Sequence, residues 1–420
     1  MSFTSFRAGQ VLVSDLLFLM AAIVILAKAL NGDDSGLAPT TGRRGSNLVL
    51  VGALILLTAG TLSSFRSWNP TASIMVVVRF AWVTVIWFWI LRTVCRDRDA
   101  LHRVLRGWRA SSLFTSGAAI LGYMGVAFVS EEAGNRQVGL SDHPNHLAGQ
   151  LAATFVFFLL AAPREHDQLS RRDRIWWLIA LAMCATAMFA SGSMTGLLSI
   201  TVGMVVAGGA YLVTARAGRP RRNRRGPVAP MLVMLLLLGG TAALLTSDLP
   251  VVDRIIRYNE GDTYVQESVG YRGQTNSVVM ERFDQFLVVG LGFNYEAGSS
   301  AGGTSDPDDP SVRNYGVHNM HLGLLYQAGL PAVVGTAVII LAAARQLAAL
   351  LRRTDPQLYI TALALVGSLV AVNVNALFQP TAFDRFYWMP VAMAGCLFSV
   401  RRRELQEAAR SSSEPQSFST

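Results

Sequence analysis

Residues 316–329 read Gly-Val-His-Asn-Met-His-Leu-Gly-Leu-Leu-Tyr-Gln-Ala-Gly and mark the clearest boundary in the chain. They close its only long polar segment and open an apolar run that continues to about Leu351. His318 therefore lies where a water-exposed loop meets a membrane helix. Because an ionisable ring there can reach water, lipid headgroups and a bound molecule, candidate functional residues are sought around it.

The composition is that of a membrane protein. Of 420 residues, 52% are hydrophobic and 15% are charged, whereas a soluble globular protein carries about 25% charged residues. On a soluble chain the net charge of +9 would suggest nucleic acid. Here the arginines cluster between apolar runs, which indicates orientation in a bilayer and no nucleic-acid partner.

The cysteines support neither a disulfide framework nor a zinc site. Cys95, Cys184 and Cys396 lie within or at the ends of apolar runs. Their number is odd and they form no C-x-x-C, so we expect small buried hydrophobic residues.

Apolar runs of about 20 residues, the length that crosses a bilayer, recur along the chain. The ninth run is too long for one straight helix and contains Pro331, which predicts a short helix followed by a full span. The pattern predicts an all-α polytopic membrane protein of about 11 transmembrane helices, within a range of about 10 to 12. The runs are Val11–Leu30, Leu48–Phe65, Ala72–Val94, Ser111–Ser130, His146–Ala162, Ile175–Ala190, Thr195–Thr214, Val228–Thr246, His318–Leu351, Leu358–Phe378 and Phe383–Val400.

Connections rich in arginine alternate with connections poor in it, and an arginine excess in short loops marks the cytoplasmic side. The long segment Asp248–Val317 is on the poor side, so it is predicted to be extracytoplasmic and the C-terminus cytoplasmic. One missed or false span would place the N-terminus on the opposite side of the membrane, so the side of the N-terminus is not assigned. The arginine-rich connections are Arg92–Arg109, Arg164–Arg174, Arg216–Arg225 and the ends at Arg345–Arg353 and Arg401–Arg403.

This pattern divides the chain into four parts of a multi-pass cell-membrane protein. Residues 1–247 form the N-terminal transmembrane helices and residues 248–317 the extracytoplasmic loop. Residues 318–400 form the C-terminal transmembrane helices and residues 401–420 a cytoplasmic tail. Because the loop is far longer than a connection requires, it is a place to look for function.

The first half of the loop has helical periodicity. Apolar side chains recur at helical spacing towards the end of Gly270–Phe286, which predicts an amphipathic helix on or near the membrane surface. Gly290 and Gly292 then permit a tight turn. In order, the loop presents Arg272, this turn and His318-Asn319.

That order, with Gly329 closing the next short helix, resembles the O-antigen ligase and O-antigen polymerase-like family of bacterial membrane glycosyltransferases. A second stretch agrees with the family's arginine–glycine–proline–asparagine pattern, at Arg136, Gly139, Pro144 and Asn145.

One departure from the family stands out. The family often has Ser-Arg at the external start of the span after the sixth, where this chain reads Ser191-Gly-Ser-Met194. An expected phosphate contact is therefore absent there or supplied by another residue.

The resemblance implies transfer of a glycan from a polyprenyl diphosphate carrier to an acceptor hydroxyl outside the cytoplasmic membrane. The implied partners are a lipid-linked oligosaccharide donor, a glycan or lipid acceptor and membrane lipids. Other polysaccharide assembly proteins are further candidates. The resemblance implies no cofactor and demands no metal.

The family chemistry suggests roles for five residues. A histidine titrates near neutrality, so His318 is the candidate base for the acceptor hydroxyl. Arginine's planar fork suits phosphate oxygens, so Arg272 is the principal diphosphate ligand. Asn319 would orient the sugar or the histidine, and Arg136 and Arg313 are further electrostatic candidates.

Several of these polar residues can also be explained without a catalytic or binding role. His318 can be a polar residue at a helix start, Arg272 a surface arginine, and His143 and His146 interfacial residues rather than metal ligands. The alternative class is a transporter or flippase for a lipid-linked or polar solute. A transporter would place polar residues near the bilayer midplane on broken helices, whereas here they concentrate in one loop. A sensor or assembly scaffold would not need an arginine towards one end of that loop and a histidine at the other.

Overall fold

Apolar helices dominate the computed structural model. Within the described residues, five helices are long and apolar enough to cross a bilayer, and two shorter apolar helices, Leu48–Ser64 and Ile175–Ala190, accompany them. The fold is therefore all-α and multi-pass. The five are Pro70–Val94, Pro144–Ala161, Met194–Thr214, Leu330–Arg352 and Leu358–Ala376.

The described residues leave gaps in both halves of the chain. The predicted span Val228–Thr246 and most of the long loop lie outside them. The structure describes residues 7–8, 11–12, 19–25, 27, 43–67, 69–126, 131–132, 136–141, 143–161, 171–216, 256–257, 260, 276–277, 279–281, 283–293, 317–352 and 355–413.

The helices are numbered here in chain order. A π-helical turn, Trp82–Ile86, joins α2 to α3, and a 3-10 turn, Thr381–Phe383, precedes α12. The α-helices are α1 (Arg43–Ser64), α2 (Pro70–Ala81), α3 (Trp87–Val94), α4 (Arg98–Tyr123), α5 (Pro144–Ala161), α6 (Arg171–Ala190), α7 (Met194–Arg216), α8 (Phe283–Phe286), α9 (Met320–Ala328), α10 (Leu330–Arg352), α11 (Pro356–Ala376) and α12 (Arg385–Ser413).

Short strands form two antiparallel pairs. The strands β1 (Arg7–Ala8) and β2 (Val11–Leu12) pair with each other, as do β3 (Glu131–Glu132) and β4 (Arg136–Gln137). Because Val11 and Leu12 lie in a strand, the first predicted span begins later than Val11, and residues 19–25 are helical.

Two helix boundaries differ from the hydropathy pattern. Helix α4 begins at Arg98, before the predicted start at Ser111, because the Asp97 carboxylate caps it by accepting from Ala100 N at 2.7 Å. It ends at Tyr123, shortly before Gly125 adopts φ +82°. The predicted break before Pro331 is confirmed, since α9 ends at Ala328 and α10 begins at Leu330.

Glycines bring pairs of helices into backbone contact. A Cβ on Gly52 of α1 would lie 2.6 Å from the Gly335 carbonyl of α10, and one on Gly203 of α7 would lie 2.6 Å from the Gly367 carbonyl of α11. In lipid the hydrophobic effect contributes little to the association of helices. Small residues at such crossings favour that association because they let the two backbones pack closely. Helix α5, buried along nearly its whole length, packs against both α7 and α11.

The arginine-rich ends of the helices meet at one end of the bundle. Arg98 at the start of α4 pairs with Glu404 of α12 and with Asp355 before α11, each at 2.5 Å. Arg403 donates to the Arg96 carbonyl at 2.9 Å. Since neighbouring helices run antiparallel, the turn before α9 and the turns between α6 and α7 and between α11 and α12 lie at the opposite end, called here the loop end.

Candidate functional site

The Gly-Leu-Gly-Phe turn, residues 290–293, packs on the end of α9. Leu291 N donates to the Tyr326 carbonyl at 3.0 Å, and Gly292 N donates to the Gln327 carbonyl at 2.8 Å. Gly292 has φ +94°, a conformation that side-chain-bearing residues rarely adopt. The turn and the short helix of the family motif are therefore one packed unit.

Helices α1 and α2 hold the same turn from the other side. The Ser73 hydroxyl accepts from Phe293 N at 2.8 Å and bonds to the Ser64 hydroxyl at 2.8 Å. The Arg66 guanidinium donates to the Val289 carbonyl at 2.6 Å and to the Gln285 carbonyl at 3.3 Å. A cation among the carbonyls at the end of α8 and just after it satisfies groups that a helix end leaves without partners.

Three aromatic rings connect this turn to the turn before α12. The centroid of Phe383 lies 4.5 Å from that of Phe80 and 6.0 Å from that of Phe293, and the Phe80 and Phe293 centroids are 5.2 Å apart. Buried aromatic pairs in tilted arrangements add stability beyond their apolar area. These contacts fix Asp384, which follows Phe383, beside the Gly-Leu-Gly-Phe turn.

His318 and Asn319 lie immediately before α9. The Asn319 Oδ1 caps the helix by accepting from His321 N and Leu322 N, both at 3.0 Å. His318 is half-buried and its Nδ1 is enclosed. Two residues after His318, the Met320 sulfur accepts from the Thr381 hydroxyl at 3.8 Å, so this segment lies beside the turn that carries Asp384.

Arg136 is buried at the loop end, with 9% of its surface exposed. Its Nε donates to the Ser191 carbonyl at 3.2 Å and its Nη2 donates to Asn145 Oδ1 at 2.8 Å. The two ends of the arginine–glycine–proline–asparagine stretch therefore meet. Arg136 also brings a guanidinium to the Ser191–Met194 turn, where the family's own arginine is missing.

Gly139 explains how the stretch folds back on itself. It has φ +58°, and a Cβ there would lie 3.2 Å from the Ala119 Cβ of α4. A side chain at this position would strain the backbone, so glycine favours the turn between β4 and α5.

A histidine–carboxylate pair lies next to Arg136. His146 Nδ1 is 3.7 Å from Asp384 Oδ2, and both side chains are mostly buried. The next residue, Arg385, is also buried. The prediction of His146 as an interfacial residue did not anticipate this pair, because Asp384 and Arg385 are separated from it by most of the chain.

The structure places three of the five predicted site residues. His318, Asn319 and Arg136 lie at the loop end and are linked through the turn at Thr381–Asp384. Arg272 and Arg313 lie outside the described residues, so their meeting with His318 stays a prediction. Within the described part of the chain, no group of three or more His, Cys, Asp or Glu side chains lies close enough to hold a metal ion.

The charged and titratable side chains of this site lie at one end of the bundle. Cationic, imidazole and carboxylate groups lie together at the end of an apolar bundle, where charges interact more strongly than in water. Membrane-spanning helices with such a polar cluster at one end define a multi-pass membrane protein whose candidate site lies at the membrane surface.

Within that class, a family model described as O-antigen ligase matches residues 179–337. The match runs from α6 through the loop into α10 and includes Arg272, Arg313 and His318. It confirms the resemblance to an O-antigen ligase-like family and indicates a membrane glycosyltransferase-type enzyme that acts on lipid-linked glycans. A comparison with curated proteins finds no match.

Proposed function

We propose that the chain transfers a glycan from a polyprenyl diphosphate carrier to an acceptor hydroxyl on the outer side of the cytoplasmic membrane. The transfer either polymerises repeat units or ligates a finished chain. The observation that carries the proposal is that Arg136, His318 and the His146–Asp384 pair lie at the same end of the bundle. The family match over residues 179–337 supports it.

The chemical step needs one base and one anion-binding group. The acceptor oxygen attacks the anomeric carbon, and its proton passes to His318. The bond from that carbon to the diphosphate oxygen breaks, and its electron pair leaves with the diphosphate. Arg272, Arg136 and Arg313 bind the diphosphate, because a guanidinium forms paired hydrogen bonds with phosphate oxygens. No metal takes part in this scheme.

Asn319 has a positioning role in the proposal. Its Oδ1 caps α9, so the side chain fixes the start of the helix next to His318. Replacing an N-cap typically costs about 1 kcal/mol, and here the cost would fall on the segment that holds the base.

The membrane arrangement completes the proposal. The chain has about 11 transmembrane helices, with residues 248–317 outside and the C-terminus inside, following the arginine distribution. A transporter or flippase is the alternative. The polar cluster favours the enzyme, because it lies at the end of the bundle rather than at its middle.

Replacing His318 by Ala tests the function. General-base help is typically worth about 10²–10⁴-fold, so His318→Ala should abolish most glycan transfer while membrane insertion stays normal. The measurement is gel analysis of surface glycan and of lipid-linked intermediates. Accumulation of short lipid-linked glycan indicates a polymerase, and a full-length chain left on its carrier indicates a ligase.

His102→Ala is the matched control, since His102 lies on α4 towards the arginine-rich end. It should leave surface glycan unchanged. Normal glycan length and amount in His318→Ala would remove the proposed mechanism.

A further inference from the structure

An apolar groove lies where α1 meets the end of α9 and the start of α10. Its volume is about 300 Å³, and eight of its nine lining residues are apolar. Helix α1 forms one wall, and the segment after α8 forms the other together with the end of α9. The lining includes Thr58, Ala59 and Leu62 on α1 and Val288, Val289 and Ala328 across the groove.

Backbone hydrogen bonds hold the second wall in place. Arg66 Nη1 donates to the Val289 carbonyl at 2.6 Å, and Leu330 N donates to the Leu287 carbonyl at 2.8 Å. Both bonds fix the segment that leads into the Gly-Leu-Gly-Phe turn. The groove is therefore a built feature of that packed turn rather than a gap between loosely packed helices.

The groove is open along its rim and closed at its floor. Leu62 and Val288 at the rim are 54% and 72% exposed, whereas Ala59 and Ala328 are buried. Large apolar side chains exposed on a membrane-spanning bundle face lipid tails, which are as apolar as they are. A hydrocarbon chain can therefore enter the groove from the bilayer without crossing a polar surface.

Helix α9 connects the groove to the candidate base. Ala328, in the groove, is the last residue of α9, and His318 lies two residues before the first. The helix has nine residues, so it is about 14 Å long at about 1.5 Å per residue. A lipid-linked molecule whose charged group lies near His318 would reach the groove with the beginning of its chain.

We propose that this groove binds the apolar tail of the polyprenyl diphosphate donor. This rests on the proposed glycan transfer. The donor has to keep its tail in hydrocarbon while its diphosphate reaches the polar loop end, and the groove joins these two environments. The hydrophobic effect contributes little, because the tail leaves lipid that is equally apolar. The groove instead supplies close packing contacts and a fixed direction for the chain.

The position of the groove favours the donor over an ordinary bilayer lipid. Its second wall and its floor come from the segment after α8 and from α9, which are the elements that carry the family motif and follow His318. A chain bound there is aligned with the site of the proposed reaction.

Photolabelling of the full chain in phosphatidylethanolamine–phosphatidylglycerol vesicles tests the proposal directly. The probe is undecaprenyl diphosphate with a diazirine in the isoprene units next to the diphosphate. Mass spectrometry should find the label on residues 54–62 or 288–289, and unlabelled undecaprenyl diphosphate should compete it away. If a diazirine phospholipid labels the same peptides and undecaprenyl diphosphate does not displace it, an ordinary lipid fills the groove and the proposal is wrong.

Thr58→Phe fills the groove from α1. Labelling in the groove should fall by about three- to tenfold, because the chain loses packing contacts. With lipid-linked glycan extracted from His318→Ala cells as donor, KM should rise by a similar factor while kcat changes less.

Thr201→Phe is the matched control, since Thr201 is an exposed threonine on α7 that does not line the groove. It should leave labelling and KM as in wild type. Folding is checked by thermal unfolding in detergent. If Thr58→Phe does not fold, Val288→Trp fills the groove from the other wall, where the side chain is exposed.

Failure of the groove assignment differs from failure of the proposed function. If wild type transfers glycan but the probe labels only other parts of the chain, or Thr58→Phe behaves as Thr201→Phe does, only the groove assignment is overturned. If wild type transfers no glycan, the proposed function fails, and the labelling decides separately whether the groove binds a polyprenyl chain.

Discussion

Gly329 lies between two helices at a point where no other residue type fits. It has φ +83°, and a Cβ there would lie 2.6 Å from the Val288 carbonyl oxygen. Its N–H donates to the Leu325 carbonyl at 2.9 Å, which closes α9, while Leu330 N donates to the Leu287 carbonyl at 2.8 Å. Gly329 therefore ends the short helix and leaves room for residues 288–290 to pack closely against it.

Gly329→Ala should destabilise the protein by about 1–3 kcal/mol, from backbone strain together with the contact at Val288. The measurement is thermal unfolding in detergent alongside glycan transfer. Gly107→Ala is the control, because Gly107 lies inside α4 and a Cβ there meets no atom within 4 Å. That change should be neutral or stabilising by about 0.5–1 kcal/mol. Equal unfolding temperatures for Gly329→Ala and wild type would contradict the account.

At the scale of elements, a different arginine holds helix ends together at each end of the bundle. Arg66, just after α1, bonds to α8 and to the segment that follows it at the loop end. At the opposite end, Arg98 joins α4, α11 and α12 through Asp355 and Glu404. These groups lie beyond the apolar parts of their helices, so they fix helix ends in water rather than in lipid.

The Glu404 pair gives a pH-dependent prediction. Its hydrogen bond from Arg98 lowers the pKa of the Glu404 carboxyl, and the same pair raises the pKa of Arg98. A lowered carboxyl pKa adds stability above the ordinary carboxyl range, and that stability is lost as the pH falls through the lowered value. The arginine stays charged throughout this range.

Glu404→Gln should therefore lower the free energy of unfolding by about 1 kcal/mol or less at pH 7, since both side chains remain partly exposed to water. The difference from wild type should shrink as the pH falls below about 4, through the lowered pKa of Glu404. Unfolding in detergent across that range measures it. Glu407→Gln, an exposed position one turn further along α12, should show no such difference. A pH-independent loss in Glu404→Gln would mean that packing, not charge, is responsible.

For the whole molecule, the arginine distribution predicts which end faces outward. Cys95, Cys184 and Cys396 are all buried, so an added cysteine can be labelled selectively. Ser300→Cys in the loop should react with a membrane-impermeant maleimide on intact cells. Ser411→Cys, exposed at the end of α12, should react only after permeabilisation. The opposite result would invert the proposed topology and place the polar cluster on the cytoplasmic side.

Much of the architecture could be read from the sequence. A membrane helix is recognised by a local run of about 20 apolar residues, and a helix break by Gly329 and Pro331. Local sequence patterns likewise predicted His318 and Arg136 as candidate site residues, because each lies in a short motif at the boundary of an apolar run. Helix starts were harder to predict, since the Asp97 cap extends α4 through a polar stretch that hydropathy alone leaves out.

The amino-acid order by itself therefore determined the class of protein and the apolar helices that the structure describes, because burial in lipid demands long apolar runs wherever the chain crosses. Only the tertiary structure decided which polar groups meet. It brought Arg136 to Ser191 and set Asp384 beside His146. Such contacts join the ends of helices remote in the chain, and which ends meet depends on how the helices pack against one another.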